Sequence, residues 1–496
     1  MSENAVDKSE ARLACDDGQQ SLYKNQNVTK KLFSSTLALA LGRNINALMR
    51  LVVVSLVVRW LGVDVFGEYA LLITLLTIMD WVLDFGTSDV FVRELVKNPG
   101  KRERLVRLLF AVKLIQVPLA MLIMVCVMFA LQYDAQVMRA GYIALTGLAV
   151  FSGVVVYQAI FRATLEMHKS VIAEFISAIL LIPMVLAVIY LDYGLLGLLA
   201  AHTLSRVIYF LFCYLLGRSS DSISLLGVKK QDVVWLLQTS LAIGGIGFLV
   251  VLNDSLELLS LSRFAAIDDV AYYSASQRLV WPILMALTAV GATFYPVLTA
   301  YWHEDKARFR QICQSAVDLI LILGFACLAA IYSGAEFLLS ILGDELVQSG
   351  DALRVLMLMS IFKSIGMVIG PVLFIVNAQK LAFYYVSFAV LLKLILLYLI
   401  VPSSGFLGAA VVSFGVEALV LLPITLFVVY RYTRFFPTVK VAFYSVIICL
   451  LAVYLSTMLF PKGSFLAGAL SGIAFVVLAF VTGVIKFSDL RKIASR

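Results

Sequence analysis

The stretch "LGRNINALMRLVVVSLVVRWLG" (41–62) is apolar enough to cross a bilayer, yet it carries Arg43 and Arg50. Arg43, Asn46 and Arg50 follow one another at spacings of three and four, so a helix presents them on one stripe. A guanidinium at hydrocarbon depth costs several kcal/mol unless it faces a partner, water or an anion. Its planar fork of donors matches phosphate and carboxylate. The residue types and their spacing therefore point to an anion held between helices.

Other charges lie in apolar runs. The cations are Lys113, Arg206, Arg278, Lys363 and Lys393, and the acids are Asp80, Asp84, Glu174, Asp254, Glu257, Asp318 and Glu417. Asn253, Asp254 and Glu257 form a second polar stripe, and two such stripes facing one another would line a central cavity. The candidates for binding an anionic substrate are Arg43, Asn46, Arg50, Arg206, Arg278, Lys363 and Lys393. The candidates for coupling to H+ or Na+ are Asp80, Asp254, Glu257, Asp318 and Glu417, because a carboxyl in a low-dielectric cavity takes up protons readily. The competing reading is structural pairing, for example Arg50 with Asp80. Arg278, Asp84 and Asp318 are near enough to a membrane face to snorkel. "AIGGIGF" (242–248) brings Gly244, Gly245 and Gly247 together, either for tight helix packing or as a hinge that interrupts its span.

These side chains are positioned by transmembrane helices. The chain has 496 residues, 62% of them apolar and 14% charged, with a mean hydropathy of +0.98. Apolar runs follow one another almost to the C-terminus, each long enough for a core of roughly 30 Å. Fourteen spans are expected, at about 33–58, 67–88, 108–131, 140–161, 171–190, 194–216, 233–259, 272–299, 312–333, 353–376, 382–400, 405–430, 440–460 and 464–485. Prolines 118, 183, 282, 296, 371 and 423 suggest bends. With the N-terminus in the cytoplasm, the cytoplasmic loops hold most of the Lys and Arg, while Arg59, Arg139, Arg263 and Lys462 face outward. Both termini are then cytoplasmic. "LGVDVFGEYALL" (61–72) resembles "FAAIDDVAYYSA" (264–275), which suggests two repeats related by an axis along the membrane normal.

The expected organisation is an all-α polytopic membrane protein: a disordered cytoplasmic tail (1–31), a six-helix lobe (32–216), a cytoplasmic linker (217–232), a second six-helix lobe (233–430), a terminal helix pair (431–485) and a short tail (486–496). Two lobes in a V-shaped bundle suit a carrier that alternates access. The net charge of +8 sits on the cytoplasmic loops and suits anionic lipid rather than nucleic acid. There is no GxxxxGK[ST] run for a nucleotide and no loop long enough for a catalytic domain, so an embedded glycosyltransferase is disfavoured. A scaffold would have no reason to keep buried charges. Cys15, Cys126, Cys213, Cys313, Cys327 and Cys449 are scattered, and His168, His202 and His303 are too dispersed for a metal. No cofactor is implied.

Four further stretches carry a family likeness: "LGVDVFGEYALLITLLTIMDWVLDFGTSDVFVRE" (61–94), "YQAIFRATLEMHKSVIAEF" (157–175), "VAYYSASQRLVWPILMALTAVGATFYPVLTAYWHED" (270–305) and "ILGDELVQSGDALRVLMLMSIFKSIGMVIGPVLFIVNAQK" (341–380). Over residues 30 to 485 the chain resembles the bacterial oligosaccharide and polysaccharide flippases, of O-antigen type, in the wider superfamily of multidrug exporters and lipid II flippases. The resemblance implies a monomer in the bacterial inner membrane. Its partners would be undecaprenyl-diphosphate-linked oligosaccharide, membrane lipid, and the polymerase and glycosyltransferases of a lipopolysaccharide or exopolysaccharide pathway. It further implies that the last two helices offer a groove to the lipid tail. The alternative within that superfamily is a cation-coupled exporter of small amphiphiles, which would want an acidic or aromatic cavity and few arginines.

Overall fold

The structure, a computed structural model, describes residues 26–217, 228–376 and 378–484. The expected tails and most of the expected linker lie outside the described residues, but helix α1 already begins at Gln26, inside the stretch expected to be a disordered tail. All regular structure among the described residues is helical. The first helices are α1 (Gln26–Leu61), α2 (Val63–Asp84), α3 (Thr87–Lys97), α4 (Arg102–Ala130), α5 (Ala135–Ala163), α6 (Met167–Tyr190) and α7 (Gly194–Leu216). There follow α8 (Lys230–Phe264), α9 (Ile267–Glu304), α10 (Lys306–Leu342), α11 (Gly350–Ile369), the single turn α12 (Val372–Ile375), α13 (Gln379–Val416), α14 (Leu422–Thr433), α15 (Lys440–Leu459) and α16 (Phe465–Val481).

Among the described residues, eleven helical runs are long and apolar enough to cross a membrane. They differ from the fourteen expected spans in three places. Neither α1 nor the shorter apolar helix Phe465–Val481 is among the eleven, and Gln379–Thr433 is a single run of 55 residues. At 1.5 Å per residue that run would be roughly 80 Å long if straight, more than twice a bilayer core. It turns at Gly405, whose φ of 51° and ψ of −139° no helix accommodates, three residues after Pro402. The outward faces are apolar, as lipid requires: Phe443, Leu450, Leu459, Phe465 and Val477 are all exposed.

The "DFG" of the first half is a helix break. Phe85 and Gly86 both have positive φ, 39° and 75°, and end α2 in a left-handed turn. A side chain on Gly86 would come within 2.8 Å of the Gly244 backbone nitrogen, so this turn requires glycine twice over. The carbonyls freed at the end of α2 need donors. Buried Lys113 of α4 supplies them, donating to Leu83 O at 2.6 Å and Thr87 Oγ1 at 2.8 Å, with Asp84 at 3.3 Å. The chain then leaves along amphipathic α3, which buries Val90, Phe91 and Leu95 and exposes Arg93 and Lys97.

Helices α1–α7 meet α8–α14 along two seams. One joins α2 and α4 to α8 over its whole length. Tyr133 meets Ser262 at 3.1 Å and Arg263 meets Gln132 at 3.2 Å at one end. Gly247 packs under Trp81 and Gly244 against Phe85 further along, and Arg104 holds Asp232 at 2.9 Å at the end bearing the basic loops. The other seam is closed at the face opposite those loops. There Arg59 donates to Ser340 O at 2.9 Å, Ser55 donates to Ile341 O at 2.9 Å, and Val58 covers Gly343. Helix α8 runs unbroken through 242–248, so the glycines do not interrupt it as expected. A Cβ on Gly244 would lie 2.3 Å from Phe85 O and one on Gly247 2.4 Å from Trp81, which makes both close-approach positions; Gly245 has ordinary contacts.

Helices α15 and α16 form a hairpin clamped to α10. Ser333, Ser456 and Ser471, all fully buried, share a triangle of hydroxyls at 3.3, 3.0 and 3.1 Å. The hairpin turn adds Gly463 N–H to Ser333 O at 2.8 Å and Phe337 N–H to Gly463 O at 2.9 Å. Gly334 and Gly468 let the backbones touch.

Candidate functional site

The buried charges gather into two clusters at one depth. Arg50 lies eleven residues before the end of α1, Arg206 twelve after the start of α7 and Arg278 eleven after the start of α9. Each is therefore roughly 17 Å along its helix from the same membrane face, near mid-core. Asp254, Lys363, Lys393 and Glu417 sit ten to thirteen residues from their helix ends or from the Gly405 turn on that same face.

The first cluster is rich in arginine. Arg206 holds Asp80 fork to fork, Nη1 to Oδ1 at 3.0 Å and Nη2 to Oδ2 at 2.9 Å. Its guanidinium stacks on Phe151 at 4.6 Å, and its Nε reaches His202 Nε2 at 3.4 Å. Arginine only donates, so that imidazole nitrogen accepts and the ring proton belongs on Nδ1, 3.4 Å from Tyr69 OH. The structural alternative paired Asp80 with Arg50; the geometry gives Asp80 to Arg206 instead. Arg50 reaches Glu174 of α6 at 3.2 Å and remains 64% exposed.

Arg278 comes from α9, across the seam. It stacks over Phe66 of α2 at 5.6 Å and donates to Ser274 Oγ at 3.2 Å. No carboxylate among the described residues lies within ion-pair distance of it. Arg50, Arg206 and Arg278 are all close enough to act electrostatically on both Tyr69 and His202, so the two halves bring three guanidinium groups to one place. Asn46, one turn from Arg50, is buried, and neither amide atom has a partner among the described residues. The side chain of Arg43 lies outside the described residues.

The second cluster lies between α8, α9, α11 and α13 and makes its ion pairs within itself. Lys363 and Lys393 were expected to bind substrate, and Asp254 and Glu257 to bind a coupling ion. They are paired with one another: Lys363 with Asp254, and Lys393 with Glu257 at 2.5 Å. Lys393 also donates to Asn253 O at 2.6 Å, and Ser413 donates to Glu257. A buried ammonium and a buried carboxylate without partners each cost more than the pair. Glu417 opens a π-helical turn, Glu417–Leu421, a deformation frequent at functional positions. It lines a small cavity with Asn253, Tyr273, Gln277, Trp281 and Lys363. Among the described residues, Asn253 Oδ1 and Glu257 Oε2 have no hydrogen-bond partner. Gln277 and Arg278 are neighbours on α9, so that helix turns one side chain to each cluster. Asp318 joins neither cluster; it accepts from Gln314 at 2.7 Å, and Gln314 in turn caps Thr438 N–H at 2.8 Å.

The contacts of Tyr69 and His202, the role of Glu174 as partner of Arg50, and the cavity position of Gln277 were not singled out from sequence. The available signal was depth: His202 is one turn before Arg206, and Glu174 stands in an apolar run.

Among solved structures, the chain resembles the lipid II flippase MurJ in an inward closed conformation, with a TM-score of 0.71 at 12% identity over 89% of this chain and 98% of that one. It also resembles an inward-facing multidrug resistance MATE family transporter of the MOP superfamily, with a TM-score of 0.66 at 17% identity over 78% and 96%. A MOP superfamily transporter from Pyrococcus furiosus with a binding pocket of reverse polarity matches at a TM-score of 0.56 and 14% identity over 82% and 95%. A comparison by sequence with curated proteins gave no match. The likenesses establish the all-helical fold of MOP-superfamily transporters. The polysaccharide biosynthesis protein family matches residues 32–302, more than half the chain, and the chain belongs to that family.

Proposed function

We propose that this protein is a flippase that moves a diphosphate-linked lipid oligosaccharide across the bacterial inner membrane by alternating access. Fourteen spans form two six-helix lobes and a terminal hairpin, and the basic loops face the cytoplasm. The observation that carries this reading is the convergence of Arg50, Arg206 and Arg278 at mid-membrane depth, with no carboxylate among the described residues on Arg278. A diphosphate is the headgroup chemistry that three guanidinium groups recognise. A carrier of cationic drugs has no use for such a set.

The seams support an inward-open state. The halves touch along α2 and α8 over the full length, and the hydrogen bonds that join α1 to α10 lie at the face away from the basic loops. A headgroup would enter on the α1 side, where Arg50 is exposed, while its lipid tail stays in the bilayer. The Lys363–Asp254 and Lys393–Glu257 pairs then hold the second lobe together at the level of the site rather than contacting phosphate. Family membership and the names of the similar structures agree with a carrier of lipid-linked or amphiphilic cargo.

The test is reconstitution. Proteoliposomes carrying a fluorescent short-chain lipid diphosphate sugar should show protein-dependent loss of the inner-leaflet probe, and Arg278→Gln should reduce the rate to that of empty liposomes. Wild-type protein that moves the probe no faster than empty liposomes overturns the proposal.

A further inference from the structure

Arg206 is already occupied by an anion of the protein's own. Both of its terminal nitrogens are spent on the two oxygens of Asp80 and its Nε faces His202, while the pair is only 11% and 18% exposed. Its end-on edge is taken by Asp80 and its Nε side is turned to His202, so neither bidentate edge of the guanidinium is left for a phosphate. An arriving phosphate therefore cannot take the Arg206 fork while Asp80 keeps it. Arg50 gives Glu174 one nitrogen and is otherwise open to an entering ligand, and Arg278 has no carboxylate among the described residues to give up, so Arg206 is the arginine of the three whose bidentate edge has to be exchanged.

We infer that Asp80 is a resident competitor for the substrate's phosphate: headgroup binding takes Arg206 from Asp80, and the released carboxyl takes up one proton. This rests on the proposed diphosphate cargo and adds how the site is regulated. The charged and titratable groups around Asp80 are Arg206 and His202 from α7, Arg50 from α1 and Tyr69 on its own helix, with Arg278 of α9 beyond them. Glu174 of α6 is held by Arg50. Once Arg206 and Arg50 serve the phosphates, no cation remains to Asp80, and an ionised carboxylate beside a diphosphate would be a buried like-charge contact. The balance closes without another reactant. A proton from water on the open side goes to an Asp80 oxygen when the Arg206 hydrogen bonds pass to phosphate. It leaves when the headgroup departs and Arg206 recovers Asp80. Each diphosphate thus crosses with one proton moving in the same direction.

The experiment uses the full chain in lipid nanodiscs and a farnesyl diphospho-N-acetylglucosamine probe, a diester whose charge is constant near neutral pH. Calorimetry in two buffers of different ionisation enthalpy reads the protons exchanged on binding. Wild type should take up about one proton per probe bound. Asp80→Asn should take up none and should bind roughly tenfold tighter, since no charged hydrogen bond has to be surrendered. His202→Gln should keep the uptake. Binding by wild type with no proton uptake overturns the inference while leaving the diphosphate site standing, and this arm needs no variant to fold. Uptake that survives in Asp80→Asn and is lost in His202→Gln also overturns it, assigning the proton to the imidazole. Absence of any binding by wild type removes the diphosphate reading and this inference with it.

Discussion

Lys393 and Glu257 form the most deeply buried ion pair described, with side chains 4% and 3% exposed. Replacing Lys393 by Met keeps most of the apolar stem and removes the charge, so the perturbation is electrostatic rather than a packing loss. The ammonium makes two charged contacts, to Glu257 at 2.5 Å and to Asn253 O at 2.6 Å. At about 1.5–3 kcal/mol each these sum to about 3–6 kcal/mol, which overlaps the range of about 3–5 kcal/mol that breaking a buried pair from one side costs. Glu257→Gln alone should cost a similar amount, because it strands Lys393. The double variant Lys393→Met/Glu257→Gln leaves no buried charge and should lie within about 1–2 kcal/mol of wild type. The cycle therefore has a coupling energy of about 4 kcal/mol or more. Unfolding in detergent micelles titrated with SDS, followed by tryptophan fluorescence, measures all four proteins. Additive single effects would refute the reasoning, because two charges that do not depend on one another are not a pair.

The opposite-face closure can be locked. An ideal Cβ on Gly343 lies 3.4 Å from Val58 Cβ, near the mean of about 3.8 Å in disulfides, so Val58→Cys/Gly343→Cys in a background without other cysteines should cross-link on oxidation. Transport in proteoliposomes should fall in proportion to the cross-linked fraction and return with reductant. Full transport by a fully cross-linked sample would exclude opening at that face. Arg50→Ala should abolish transport yet change stability by no more than about 1 kcal/mol, since its pair with Glu174 is exposed; complementation at wild-type level in cells would remove Arg50 from the site. Gly244→Ala drives a methyl to 2.3 Å from Phe85 O and should destabilise the protein by about 1–3 kcal/mol, read as a lowered melting temperature, whereas Gly245→Ala should be nearly silent.

The legible part of this protein is the part set by hydrocarbon. Apolar run length and the placement of lysine and arginine predict the helices and which charges lie at depth, because a bilayer imposes length and sidedness on each segment separately. Pairing is set between segments and is not legible in that way. Asp80 could have met Arg50 or Arg206, and only the packing of α2 against α7 decides. Lys363 and Lys393 read as free cations for the same reason: their partners on α8 are 109 and 136 residues away in the chain. Gly244 and Gly247 read equally well as a hinge or a contact until Phe85 and Trp81 are seen against them. The long run through Gly405 shows the converse, since a glycine near a proline in a segment too long for one crossing marks a turn without any tertiary information.

Three serine hydroxyls decide what the terminal hairpin can do. Because Ser333, Ser456 and Ser471 meet in one buried triangle, sliding α15 or α16 along α10 by even one turn would break at least two of its three hydroxyl contacts. The hairpin is thus a passenger bolted to α10, without a stroke of its own. Any acyl chain lying along it would be carried by the motion of that half, so head and tail of a cargo would keep step only if both are held by the same moving body.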